Sequence, residues 1–214
     1  MEVNKNNEER STWRERERRR AREEILEAAS HIFAQSGYDK ASMKEIAGRA
    51  GISVGMLYNH FKGKEDIFRA LLEGYMNGLH ERGNSRCAAI DPPLEQLRCR
   101  IRSAIEFYWE NRNLVLIYLK MNPLRLEVEA AGWERMTRGV MADLLASAMK
   151  RGDLADDDPK ALSALIIGAI HRLLYIYVND ENEEAINSVP DIIDRIVLKP
   201  LETGRSGATE EEGK

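Results

Sequence analysis

The stretch GISVGMLYNHFKGKED, residues 51–66, decides how this chain is read. Glycines and polar residues surround a thin apolar skeleton of Ile52, Leu57 and Phe61. Ser53 can cap a helix over Val54–His60, and Gly63 closes it. A helix that short is not stable alone in water. Neighbouring segments must hold it, and its outward face must serve something.

Those neighbours are legible on both sides. Upstream, SMKE at 42–45 is a capping box, a Ser followed three places later by Glu. It opens a short helix through Ile46, Ala47 and Ala50 that ends at Gly51, where a positive φ suits glycine. Further upstream, Ile25, Ala28, Ala29, Ile32 and Phe33 recur at helical spacing over 14–36, and Gly37 supplies the stop. Downstream, Lys64 begins a fourth helix with Glu65 and Asp66 in its first turn, where the helix dipole favours acids. Ile67, Phe68, Leu71, Leu72 and Tyr75 give it an apolar stripe, and Gly74 and Gly78 would permit a bend. Two short helices separated by GIS read as a helix-turn-helix. The second is roughly 10 Å long at 1.5 Å per residue, and a major groove about 12 Å wide admits it.

Gly55, Leu57, Tyr58, His60, Phe61, Lys64 and Glu65, with Ile67 and Phe68 after them, resemble the DNA-binding module of the TetR family of bacterial transcriptional regulators. ASMKEIAGRAGIS, residues 41–53, is similar to the first half of that module. The resemblance covers roughly residues 24–70. Ser42 stands where Thr is frequent, and Met56 where a small residue is frequent.

The resemblance implies roles. Tyr58 bonds a phosphate through its hydroxyl, and Lys64, at a helix N-terminus, pairs with another. Ser42 and Lys44 reach the DNA backbone from the preceding helix. Ser53, Val54, Met56 and Asn59 read bases, Asn59 by bidentate pairing with adenine. Gly55 leaves room for a base or phosphate. Met56 either meets a thymine methyl or packs. Tyr58 has the alternative of a half-buried core tyrosine, and His60 of packing over its own helix.

Charge agrees with a nucleic-acid partner once its distribution is considered. The 214 residues carry a net charge of −4. Yet arginines stand at 10, 14, 16, 18, 19, 20 and 22 against Glu15 and Glu17, and Lys40, Lys44, Arg49, Lys62 and Lys64 follow. A basic front on an acidic body is the asymmetry of a DNA-binding chain. The other account of the Arg run is a solvated helix face paired i,i+4 with Glu.

The remainder is also helical. Apolar periods mark 94–108, 114–121, 127–151, 159–178 and 190–201, with no strand alternation. The expected class is all-α, about nine helices. The expected organisation is a disordered arm at 1–13, a helix-turn-helix domain at 14–66, a helical ligand-binding and dimerisation domain at 67–202, and a disordered acidic tail at 203–214. Ligand binding and homodimerisation here are what the resemblance implies. For the pocket, Tyr108, Trp109, Tyr118, Met121, Trp133, Met136, His171, Arg172 and Tyr175 are the candidates, since aromatic walls with a few polar groups suit a small molecule. Plain core packing explains many of them as well. The effector is expected to be apolar or amphipathic. Helices near 160–178 and 190–201 are apolar round much of their circumference and need covering. The cover is either a partner's same helices or the subunit itself.

Other classes fare poorly. No P-loop, GxGxxG, GxSxG or HExxH is present, so an enzyme is not expected. His31, His60, His80 and His171 have no ligand spacing, so no metal and no cofactor are expected. Cys87, placed in a loop over 82–93, and Cys99 read as free thiols in a reducing compartment. No apolar run reaches the roughly 20 residues of a membrane span, and the charged N-terminus is not a secretory signal, so the cytoplasm is expected. The expected function is a homodimeric repressor released from a palindromic double-stranded DNA operator by a small molecule. A helical interaction module without DNA is the alternative.

Overall fold

The computed structural model describes the backbone of residues 2–120 and 127–203, and the side chains of 13–117 and 137–203. It divides into two compact units, Met1–Tyr75 and Met76–Lys214. Ten α-helices are assigned among the described residues, with no strand beyond one isolated bridge, Leu154 to Glu202.

The first unit holds α1 (Glu2–Ser36), α2 (Met43–Arg49), α3 (Val54–His60) and the start of α4 (Lys64–Cys87). Helix α1 runs through 2–13, where a disordered arm was expected. The stretch holds neither Gly nor Pro, so it carries no breaker there. Helix α1 ends at Gly37, whose φ of 79° is the left-handed conformation of a helix stop. Its inner face, Ile25, Ala28, Ala29 and Phe33, is buried with Ile46 and Ala47 of α2, Leu57 of α3, Phe61, and Ile67 and Phe68 of α4. Phe33 and Phe68 meet edge to face at 5.9 Å, with Tyr38 5.3 Å from both. The expected boundary at 66/67 therefore falls too early, because Ile67 and Phe68 belong to this core.

The second unit contains the rest of α4, then α5 (Pro93–Glu110), α6 (Arg112–Lys120), α7 (Glu127–Arg151), α8 (Pro159–Asn179), α9 (Glu183–Asn187) and α10 (Val189–Ile193). A π turn and a 3₁₀ turn carry α10 on to Leu201. Its core joins Leu97, Ile101 and Ile105 of α5, Leu145 and Ala148 of α7, and Ile166, Ile170 and Leu174 of α8. Arg98 reaches Glu95, Asp194 and Glu202, tying the chain's last turns to α5.

Two expectations are corrected in this unit. The loop placed at 82–93 is shorter, because α4 stays helical to Cys87. Arg82 reaches Glu106 and Glu110 on α5, and Arg86 reaches Glu106, so this stretch is held as helix. The two cysteines are joined, Cys87 Sγ lying 2.07 Å from Cys99 Sγ, because α4 and α5 bring them side by side.

Helix α8 also departs from the reading that no segment has span length. Its 21 residues reach a mean hydropathy of 1.7 over an 18-residue window, and a third of that window is buried in the chain. Ser163, Ile166, Ile167, Ile170, Leu174 and Val178 face inward. Ala161, Ala164, Leu165, Gly168, Arg172 and Ile176 form an exposed stripe on the other side.

Candidate nucleic-acid interface and effector cavity

Helix α3 is held by very few atoms. Ser53 caps it, its Oγ accepting from the Met56 N–H at 3.1 Å. Gly51 takes φ 68° in the turn before it, and the Ile52 N–H donates to the Ala47 carbonyl at 3.1 Å. Leu57 is the helix's buried residue, and Phe61 just beyond it is buried too. The other face is open. Val54, Met56 and Tyr58 are 38%, 45% and 53% exposed, and Ser53, Gly55 and Asn59 are exposed with them. Large apolar and aromatic side chains presented together on a short helix call for a partner. A Cβ at Gly55 would meet nothing nearer than the Ser53 Oγ at 4.0 Å. Packing within the chain therefore does not require glycine there.

The polar candidates divide. Lys44 is exposed on α2 and free to reach outward. Ser53 keeps its O–H proton available, since the cap uses the oxygen only as an acceptor. Ser42 does not: its Oγ donates to Glu45 Oε2 at 2.7 Å and accepts from the Glu45 N–H at 3.3 Å. The hydroxyl and backbone N–H of Ser42 together hold the Glu45 carboxyl below its usual pKa. Ser42 thus serves as the cap of α2, with no proton left for a phosphate.

Lys64 is also committed inward. Its Nζ donates to the carbonyls of Tyr38, Asp39 and Ala41 at 2.8, 2.9 and 3.3 Å. It also stands 4.7 Å from the centre of the Tyr38 ring. An ammonium has three protons, and three carbonyls take them. This corrects the reading of Lys64 as a phosphate ligand: it pins the start of α4 to the turn between α1 and α2.

His60 is half-buried, and its pKa is lowered by burial and then by the positive charges of Arg18 and Arg22. It is neutral at pH 7, a packing group beside the basic stripe of α1. Arg14, Arg18 and Arg22 follow one another at i,i+4 on that helix, and Arg22 lies over the Phe61 ring at 4.3 Å. Arg19 and Arg20 pair with Glu23 and Glu24. Among the described residues Arg14, Arg18 and Arg22 have no carboxylate partner, so the solvated-face account covers only part of the run.

The second unit holds a cleft between α4, α5, α7 and α8, partly open to solvent. Leu97, Ile101, Val140, Met141, Ile167 and Ile170 make its apolar wall, and His80, Arg100, Tyr108, Thr137 and His171 supply polar groups. Of the sequence candidates, the structure brings Tyr108 and His171 together here, ring centroids 6.4 Å apart. Trp109 is not in the lining; it stacks under the Arg112 guanidinium at 4.7 Å. Arg172 lies 5.5 Å over the Tyr175 ring, and neither lines the cleft. Each residue along a helix turns 100°, so the neighbours of Tyr108 and His171 point elsewhere. Tyr118, Met121, Trp133 and Met136 lie outside the residues whose side chains are described. His80 and Arg100 were missed, because a single charged or imidazole side chain among apolar positions reads as a solvated edge.

Comparison with known proteins follows this geometry. The family model "Bacterial regulatory proteins, tetR family" matches residues 25–71, which span the last third of α1, all of α2 and α3, and the start of α4. The HTH-type transcriptional repressor KstR2 of Mycobacterium tuberculosis is 34% identical over 97 residues, 45% of this chain and 48% of that protein. The chain thus spans about half the length of that relative. The fatty acid metabolism regulator protein of Bacillus subtilis is 24% identical over 178 residues, 79% of this chain and 92% of that one. Among solved structures, the fatty acid degradation regulator FadR from Bacillus halodurans superposes with a TM-score of 0.74 at 18% identity, covering 81% of this chain and 92% of the other. That likeness extends the shared helical fold into the second unit. The first unit is thus similar to the DNA-binding module of the TetR family of bacterial transcriptional regulators, and the fold shared with a solved structure continues into the second unit.

Proposed function

We propose that this chain is a DNA-binding transcriptional regulator whose second unit binds a small molecule. The observation that carries the reading is the outward face of α3. Val54, Met56, Tyr58 and Asn59 are exposed around a glycine that packing does not need. In this reading α3 enters the major groove. Ser53, Val54, Met56 and Asn59 read bases, while Tyr58, Lys44 and the Arg14–Arg18–Arg22 stripe hold phosphates. The basic stripe supplies the salt-dependent part of affinity.

The active species is a cytoplasmic homodimer, its interface the exposed stripe of α8 with the segment 190–201. Leu165 at 55% and Ile196 at 63% exposure support it, being large apolar side chains without cover in one subunit. A two-fold axis would set the recognition helices about 34 Å apart, matching a palindromic operator. The cleft beside Tyr108 and His171 is the effector site. Its apolar wall favours an apolar or amphipathic compound, and two similar proteins carry fatty acid metabolism or degradation in their names. Effector binding shifts the population away from the DNA-competent state, which makes the chain a repressor released by its ligand. The similarity to a named repressor supports that sign.

The test is fluorescence anisotropy of the purified chain on the DNA upstream of its own gene, across a salt series. Specific binding with a steep salt slope is expected. Equally weak binding on every duplex would favour an interaction module that uses no DNA.

A further inference from the structure

Arg100 differs from Arg82 and Arg98, the two arginines most tightly bound to α5 and its neighbours. Arg82 meets Glu106 and Glu110, and Arg98 meets three carboxylates. Arg100 faces the cleft with no carboxylate among the described residues. Its hydrogen bond goes from Nη2 to the neutral Asn84 Oδ1 at 2.7 Å. Its Nε is buried with no acceptor. Burial alone pushes its pKa down, with no opposing anion to restore it. A guanidinium remains protonated even so. A part-buried cation with no carboxylate partner among the described residues is stabilised by an incoming anion.

The seat of this group is built. The Arg100 guanidinium lies close against α4, a Cβ at Gly83 falling 2.8 Å from its Nη1. Asn84, next along α4, holds the far side of the fork. Asn84 spends its carbonyl on Arg100, so its amide donates to His80 Nε2 at 2.9 Å. Asn84 takes one of the five N–H protons of Arg100, and those that remain can donate to the oxygens of a carboxylate or phosphate.

We propose that Arg100 is the head-group anchor of the effector cleft, and that the effector is an amphiphile with an apolar body and one oxyanion head. The apolar body lies along Leu97, Ile101, Val140, Met141, Ile167 and Ile170. The proposal rests on reading that cleft as the effector site.

The test uses the full chain and four probes of equal tail length, below their micelle-forming concentrations. Decanoate and decyl phosphate separate a carboxylate from a phosphate head; decan-1-ol and decyltrimethylammonium carry neutral and cationic heads. Isothermal calorimetry should show one or both anionic probes binding at least tenfold more tightly than decanol, and the cation more weakly than decanol. Arg100→Met should bring anion and alcohol within about twofold while leaving decanol affinity unchanged. Arg100→Lys, which keeps a cation, should retain part of the preference. Thermal unfolding of each variant shows that it is folded. Equal binding of anion and alcohol by the parent, or a preference that survives in Arg100→Met, overturns the anchor while leaving the cleft as a binding site. Binding of no probe overturns both.

Discussion

Replacing Lys64 by Met keeps most of the aliphatic stem and removes the ammonium from three carbonyls. Hydrogen bonds from a charged donor are worth about 1.5–3 kcal/mol when buried. Lys64 is half-exposed, and water can take its place at the exposed Asp39 carbonyl. The Tyr38 and Ala41 carbonyls are part-buried and are left short of a partner. The cation–π contact with Tyr38 adds about 0.5 kcal/mol. The sum is a loss of about 2 kcal/mol, or a fall in Tm of about 4–8 °C for a chain of this size. Because the ammonium faces inward, the slope of log affinity against log salt on a specific duplex should not change. Circular dichroism melting and anisotropy on Lys64→Met supply both numbers. An unchanged Tm together with a slope reduced by about one unit would refute the inward clamp and restore Lys64 as a phosphate ligand.

Three further outcomes are expected. Tyr58→Phe should weaken binding to every duplex about three- to tenfold, the worth of one hydrogen bond, with no change in Tm, since the ring is already exposed; a sequence-dependent loss would make Tyr58 a base reader instead. Leu165→Glu should move the chain from dimer to monomer in sedimentation equilibrium, and a dimer that persists would place the interface elsewhere. The folded-state pKa of His60 lies below its usual value of about 6.5, so over a window below about pH 6.5 the unfolded chain binds more protons and stability falls as pH falls. Urea midpoints at pH 7.5 and 5.5 should therefore differ less in His60→Asn than in the parent, and an equal difference would show that His60 does not contribute.

What sequence showed and what it hid follow a physical line. The Ser42–Glu45 box and the Ser53 cap are contacts three residues apart, and such contacts are written in adjacent letters. The phase of α3, with Leu57 in and Tyr58 out, is equally local. The Lys64 clamp is hidden because its acceptors are backbone carbonyls up to 26 residues upstream, which have no side-chain signature. The Cys87–Cys99 bond depends on α4 and α5 lying side by side, which their spacing does not announce. Of the helices that line the cleft, composition singled out α5, α7 and α8 but not α4, and it did not fix their phase. Tyr108 was separated from Trp109, and His171 from Arg172, only once neighbouring helices fixed which way each faced. The meaning of Arg100 lies in the lack of a carboxylate partner among the described residues, and a missing carboxylate cannot be read from the sequence.

Helix α3 buries Leu57 and leaves the rest of its seven positions outside the core. Folding therefore makes its demands at Leu57 and half-buried His60, and the exposed letters at 54–56, 58 and 59 are largely exempt from selection for stability. Substitutions at 54, 56, 58 and 59 can accumulate in any order without passing through unfolded intermediates. A duplicated copy of this gene could drift to a new operator while its scaffold stays fixed. The same exemption makes these four positions a natural library for directed evolution, in which the screen reports target choice with little interference from misfolding.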